Sequence, residues 1–160
     1  MMKKTDLFFV GIIAGIILLI AVSLVVMFTS DASEYKDEST PDSTALNYLL
    51  AVQNEDYSRA YSYLSKTIDD YPVNVKAFET QISQFYYVGA RTEYVFSIES
   101  IDQTGSTADI MLTSMRFSGD ALFGGRQYTD RFEMTLIREA GHWKITSCSS
   151  YAFCTGQWRK

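Results

Sequence analysis

From Leu7 to Phe28 the chain reads LFFVGIIAGIILLIAVSLVVMF, without one charged residue. As an α-helix rising about 1.5 Å per residue, this stretch is roughly 33 Å long. The hydrocarbon core of a bilayer is about 30 Å thick. A helix suits that medium because it pairs its own backbone groups where water is absent. The expectation is one transmembrane helix over 7–28, with the remaining chain arranged around it. Lys3 and Lys4 precede the stretch, whereas Asp31, Glu34, Lys36, Asp37 and Glu38 follow it. Basic residues collect on the cytoplasmic side of a span, and acidic ones carry little topological weight. Residues 1–6 are therefore expected in the cytoplasm, and everything after Phe28 outside the plasma membrane.

The competing reading is a secretory signal cut near Ala32, after Ser30-Asp31-Ala32, which would release the domain. The apolar core of such a signal runs about 7–15 residues, shorter than this one, which favours a retained signal-anchor. No Cys follows the stretch to accept a lipid, and the Glu usual after a type IV pilin processing site is missing. Gly11 and Gly15 have the small-xxx-small spacing by which membrane helices approach closely. That spacing also arises by chance in a Gly/Ala/Ile-rich span, so a bland lipid-facing role stands beside a helix contact.

The formal net charge of −5 is the wrong sign for a nucleic-acid reader, which needs a basic face to neutralise phosphates. The same sign disfavours a peripheral grip on anionic lipid. Cys148 and Cys154 both fall in the exported part, where a disulfide is permitted. Six residues of straight strand would hold them about 20 Å apart, so a bridge demands a turn between them. Ser149-Ser150 can supply part of that turn; bridged and free thiols both stay open. Two thiols and one distant His make no zinc spacing, and no cofactor is expected.

Residues 29–41 are polar and acidic, and read as a juxtamembrane linker. One domain's worth of chain follows, over 42–160. Asp42 or Ser43 can cap a first helix with Ala45, Tyr48, Leu49 and Val52 on one face. Asp56 can cap a second, with Tyr57, Ala60, Tyr61 and Leu64 at helical spacing. A third runs from about Asn74 toward Gly89, burying Val75, Phe78, Ile82 and Phe85. The period then changes to two. Strands are expected over Glu93–Gln103, Ser106–Ser118, Gln127–Glu139 and His142–Ser147. In the first, Tyr94, Phe96 and Ile98 share one face, with Val95 and Ile101 on the other. The second is apolar on both faces, so it is expected to be central or covered. Tyr151, Phe153 and Trp158 suggest a further extended segment packing down before the terminus.

This combination resembles the nuclear transport factor two-like domains. The resemblance rests on Ala45-Leu46-Asn47-Tyr48-Leu49-Leu50-Ala51, on Asn54-Glu55-Asp56-Tyr57-Ser58-Arg59-Ala60-Tyr61 with Leu64-Ser65, and on a closing Trp143-Lys144-Ile145 strand. It covers Asp42 to Ser147 and implies an α+β fold: three helices packed on a curved antiparallel sheet of about four strands, forming a cone with an apolar pocket. The family includes isomerases, cyclases, dehydratases, transport adaptors and catalytically silent domains, some of them membrane-tethered. Fold resemblance alone does not carry function.

An isomerase of this kind needs a carboxylate base and an acidic hydroxyl in the cone. Asp109 and the tyrosines Tyr48, Tyr61, Tyr63, Tyr86 and Tyr87 are the groups that can reach one, but none sits in a matching motif. Tyr61, Tyr86, Phe96, Asp109, Phe132 and Trp143 are the candidate pocket lining. For Asp109, exposure near a strand start is the plainer reading, as it is for the Asp69-Asp70 loop. His142, at a tight turn, has no nucleophile elbow nearby, and Gly124-Gly125 lacks a following GK[ST]. Leu122 and Phe123 at a loop tip, with Met111, Met115 and Phe117 on the sheet, are the candidate partner contacts. The leading expectation is a single-pass, membrane-anchored extracytoplasmic binding or assembly domain without catalytic activity, meeting a protein partner or a second copy. The alternatives are a binder of a small apolar ligand in the cone, then an isomerase or dehydratase.

Overall fold

The computed structural model of the chain describes residues 12–20, 34–85, 94–118, 126–150 and 152–154. The chain divides into two units, Met1–Glu34 and Tyr35–Lys160. In the first, residues 12–20 form a helix (α1) whose side chains are all exposed. Among the described residues no helix is long and apolar enough to cross a membrane. The span expected over 7–28 is therefore not an element of the described structure. Gly11 lies outside the described residues. Gly15 lies in α1, and a Cβ built on it meets nothing within 4 Å.

The second unit starts earlier than the composition of 29–41 implies. Both polar atoms of the Asn47 side-chain amide, on a residue 1% exposed, close on one backbone residue: Oδ1 accepts from Lys36 N–H at 2.8 Å and Nδ2 donates to its carbonyl at 2.8 Å. The Tyr63 hydroxyl donates to Glu38 at 2.7 Å, Arg59 pairs with the same carboxylate at 3.2 Å, and the Arg59 guanidinium lies 3.7 Å over the Tyr35 ring. A largely polar segment thus docks through Tyr35 and through hydrogen bonds, because buried polar groups on the helices need partners. The expected linker is held on the domain from Tyr35 onward.

Helix α2 (Pro41–Gln53) begins at a proline whose missing N–H costs nothing in the first turn. Its N-cap is Thr40, ahead of the expected Asp42 or Ser43. Ala45, Tyr48, Leu49, Ala51 and Val52 are fully buried on it. Helix α3 (Tyr57–Ser62) is capped by the Asp56 side chain, which accepts from Arg59 N–H at 3.1 Å. Helix α4 (Val75–Phe85) opens with Asn74 Oδ1 accepting from Ala77 N–H at 2.8 Å, and it buries Phe78 and Ile82. Gly89 lies outside the described residues.

Strands β1 (Tyr94–Thr104), β2 (Thr107–Ser118), β3 (Arg126–Glu139) and β4 (His142–Cys148) form one antiparallel meander in chain order. Ala140 and Gly141, both at positive φ (48° and 89°), make the tight β3–β4 turn whose twist matches the strands. Even-numbered residues of β2 and β3 face the helices: Ala108, Ile110, Leu112, Met134 and Leu136 are fully buried. Past β3, Leu64 bridges Ile145, with Ser65 N–H and Tyr63 carbonyl each bonded to it at 2.8 Å, so the chain after α3 covers the β4 edge.

Two bulges break the alternation. Ile98 stands opposite Leu112, but Ser100 stands opposite Met111 and Ile101 opposite Ile110. Glu99 is the extra residue, so Ile101 shares the inner face with Ile98, contrary to the expected two-faced split. On β4 the pairing runs Leu136 to Ile145 and then Thr135 to Ser147, which makes Thr146 the second extra residue.

The clasp at Glu38 is testable by pH. The Tyr63 hydrogen bond, then Arg59, hold the Glu38 carboxyl below its ordinary 4.5. Burial pushes the Tyr63 phenol up to about 12. A lowered carboxyl contributes stability above its unfolded value and loses it as pH falls through the folded one. Thermal melts of the Glu38→Gln variant should therefore differ from the parent above pH 4.5 and converge with it in more acidic solution. Parallel profiles at all pH values would contradict the clasp.

Candidate functional site

On the inner face of the sheet, toward the start of β1, the register places Phe96 opposite Ser114, Tyr94 opposite Arg116 and Leu112 opposite Phe132. Large apolar side chains therefore converge from three strands, because directly opposed residues point the same way. Tyr94 and Phe96 stack with ring centroids 6.1 Å apart. Phe153 meets both edge-on at 4.9 Å, and lies 6.0 Å from Phe132. These are favoured geometries for aromatic pairs. Beyond this floor the same face turns polar: Arg116 lies 4.7 Å over the Tyr128 ring, and Asp130 is exposed opposite Ser114.

Phe153 belongs to no strand or helix, and its position is set by the chain just before it. The bulge at Thr146 returns Cys148 to the inner face, opposite Met134. Ser149 stays tied to β3, its N–H donating to the Glu133 carbonyl at 2.9 Å. The Ser150 hydroxyl then accepts from Ala152 and Phe153 N–H groups at 3.3 Å each, turning the chain inward. Cys154 closes back on Cys148 as a disulfide, with Cα atoms 6.0 Å apart. From the helix side, the Tyr48 hydroxyl donates to the Phe153 carbonyl at 2.7 Å. Phe153 and Cys154 are each 1% exposed. A phenyl ring of the chain itself fills the aromatic interior.

Of the candidate lining, Phe96 and Phe132 are in this cluster. Tyr61 is not: its ring lies 5.3 Å from Tyr71 and 5.9 Å from Phe78, and its hydroxyl donates to Pro72 carbonyl at 2.8 Å, among the helices. Trp143 is buried opposite Arg138, six β3 positions from Phe132 or roughly 20 Å along the strand. Asp109 is corrected as a lining residue and has the exposed place that was its plainer reading: it lies between inward Ala108 and Ile110, so it faces outward, accepting from the Thr135 hydroxyl at 2.8 Å. Tyr86, Leu122 and Phe123 lie outside the described residues, as does the side chain of Phe117. Met111 and Met115 are half-buried on the outer face, beside a polar group in which Glu99 accepts from Thr113 and pairs with Arg131. Asp69, Asp70 and His142 are exposed. Among the described residues no three His, Cys, Asp or Glu side chains are placed to hold a metal ion.

Ser150 does supply part of the turn expected of Ser149-Ser150. The residues missed in the sequence are Tyr48 as a donor and Phe153 as the occupant. The one signal for the last was a large apolar residue directly before the second of two closely spaced cysteines.

No protein-family model matches the sequence, and neither does any curated protein. Solved structures do match in fold. A calcium/calmodulin-dependent protein kinase type II association domain from Thiobacillus denitrificans is 11% identical, covering 71% of this chain and 94% of its own, at a TM-score of 0.56. A SEC-C motif protein from Rhodopseudomonas palustris is 7% identical over 71% of this chain and 80% of its own, at 0.51. A Catenulispora acidiphila protein in complex with S-DNPA is 12% identical over 67% and 86%, also at 0.51. The structural neighbours are proteins of the nuclear transport factor two-like fold.

Burial pushes the Tyr48 phenol well above its ordinary 10.0. A raised value means stability present below the unfolded pKa and lost as pH rises through it. Tyr48→Phe removes the hydroxyl's hydrogen bond to the Phe153 carbonyl, costing about 0.5–1.5 kcal/mol at neutral pH. Denaturant unfolding should show that loss, and also a shallower fall in stability above pH 10 than the parent has. A variant as stable as the parent would mean the bond contributes nothing.

Proposed function

We propose that this chain is a single-pass membrane protein whose extracytoplasmic domain binds a protein partner, a second copy of itself included, and performs no catalysis. The observation that carries this reading is Phe153: its ring takes the interior that a substrate of this fold would need. The carboxylates suited to the alternative chemistry lie elsewhere among the described residues. Asp109 and Glu99 are engaged on the outer face, and Asp130 is exposed past the aromatic floor.

Support for the anchor comes from α1. Ile12, Ile13, Ile16, Ile17, Leu18, Leu19 and Ile20 are all between 45% and 68% exposed, so apolar surface runs around the whole helix. A helix apolar on every side belongs in a protein core or in lipid. The Cys148–Cys154 bridge fits an oxidising compartment on the far side of that membrane. The neighbour described as an association domain extends the same fold to assembly, and we carry that use here. A second reading, a small apolar ligand in the cone, is favoured by the neighbour solved in complex with S-DNPA.

The test uses the full chain in its own membrane. A photo-crosslinking residue replaces Met111 or Met115 in turn, with exposed Val73 as control. One adduct of discrete mass from the sheet positions and none from Val73 is the expected result. A mass of twice 18.1 kDa identifies a second copy. Equal labelling from all three positions would remove the assembly reading. Loss of the chain to an alkaline carbonate wash would remove the anchor.

A further inference from the structure

We propose that the surface around Asn47 of α2 and Arg59 and Tyr63 of α3 and its cap is a peptide-binding groove, which the chain's own Tyr35–Glu38 segment occupies. Its ligand class is a partner protein's peptide in which an aromatic residue is followed three positions later by a carboxylate. This site is separate from the sheet face and does not rest on the reading given to that face.

Asn47 is buried on α2, yet both polar atoms of its side chain are directed at a segment outside every helix and strand. Left empty, a buried amide would cost free energy at two atoms. It is satisfied by the N–H and the carbonyl of one residue, Lys36, a pair of groups that every residue except proline offers. Main-chain pairing of this kind gives a bound peptide affinity, and the neighbouring side chains give selectivity. Ahead of Lys36, the Tyr35 ring packs against the core, with the Arg59 guanidinium 3.7 Å over it. Behind it, the Glu38 carboxylate accepts from the Tyr63 hydroxyl at 2.7 Å and from Arg59 at 3.2 Å, and Lys144 adds positive charge. Lys36 and Asp37 are exposed, and among the described residues neither side chain makes a hydrogen bond or ion pair. The surface thus reads a backbone and two side chains, and passes over the two between.

The groups that do the reading are held by one another. Arg59 Nε donates to the Tyr63 oxygen at 2.9 Å, so the two donors that meet the carboxylate are fixed together. The Asp56 cap holds the Arg59 N–H, and Ile145 N–H holds the Tyr63 carbonyl. A peptide of the same chemistry restores every contact that the resident makes, and only the tether differs. Ser39 and Thr40 join the resident to α2, so it competes at the effective concentration of a short link. The bonds of Thr40 to Ser43 and Thr44 lie beyond the segment and stay made when it is exchanged. A partner peptide binds chains whose segment is displaced, and its apparent affinity is reduced by their scarcity.

The probe is a capped peptide with the sequence of residues 34–39, carrying 3-fluorotyrosine as its tyrosine. Fluorine NMR follows its binding to the full chain in nanodiscs, with empty nanodiscs as the blank. The parent is compared with Tyr35→Ala/Lys36→Pro/Glu38→Ala, which empties the groove, and with the milder Tyr35→Ala/Glu38→Ala. We expect saturable binding by both emptied chains, about tenfold or more tighter than by the parent. Adding Asn47→Asp or Tyr63→Phe to an emptied chain should weaken binding severalfold. On the peptide, alanines in place of its lysine and aspartate should change nothing. Proline in place of the lysine, or glutamine in place of the glutamate after the aspartate, should weaken binding severalfold. No saturable binding by an emptied chain that circular dichroism shows folded would overturn the groove. Equal binding of a peptide with the same residues in scrambled order would also overturn it. Unfolding of both emptied chains would make the segment part of the core and overturn the site. A dimer of parent with emptied chain in native mass spectrometry would make a second copy the occupant and overturn the partner peptide.

Discussion

The hydrogen bond from the Tyr48 hydroxyl to the Phe153 carbonyl joins residues 105 positions apart, and it lies where the central helix, the sheet and the C-terminal turn meet. A buried phenol must have a partner, and a buried carbonyl outside any ladder must have one too. Each solves the other's problem. With that bond made, α2 is covered along the side where its expected apolar stripe lies. The disulfide secures the same turn, tying Cys154, next to Phe153, back to Cys148 at the end of β4.

The interior and the outer face of the sheet are separated by strand parity, and two bulges decide where that parity reverses. Without Glu99 as an extra residue, Ile101 would point away from Ile98. Without Thr146 as an extra residue, continued alternation from Trp143 and Ile145 would turn Ser147 inward and Cys148 outward, away from Cys154. The second bulge is thus a precondition for both the bridge and the seating of Phe153. Re-aiming a side chain in this way is a common use of bulges near functional surfaces. Glu99 has a second use, since its carboxylate joins Thr113 and Arg131 on the outer face and satisfies charges there.

Much of the fold was legible because its signals are local. The Asp56 cap, the change of period after α4, the Ala140-Gly141 turn and the four strands could be read to within a residue or so from propensity and alternation alone. The start of α2 was misplaced because Pro41 at the first helical position moves the cap back to Thr40. The linker was drawn too long because Lys36 and Glu38 are polar. Polarity says nothing of a segment whose binding depends on Asn47 and Tyr63 supplying partners from elsewhere. Asp109 and Tyr61 were plausible lining residues by type, but strand parity excludes the first and the α3–α4 packing the second.

By itself, the sequence determined the class of fold, the order of its elements and the apolar character of the stretch around α1, since each follows from residues near one another in the chain. The tertiary structure decided what occupies the interior. Phe153 reaches Tyr94 and Phe96 because a bulge, a serine turn, a disulfide and a tyrosine from the opposite layer act together. No periodicity records that cooperation, because Tyr48, Tyr94 and Phe96 lie far in sequence from residues 146–154 and become their neighbours only once the sheet has paired.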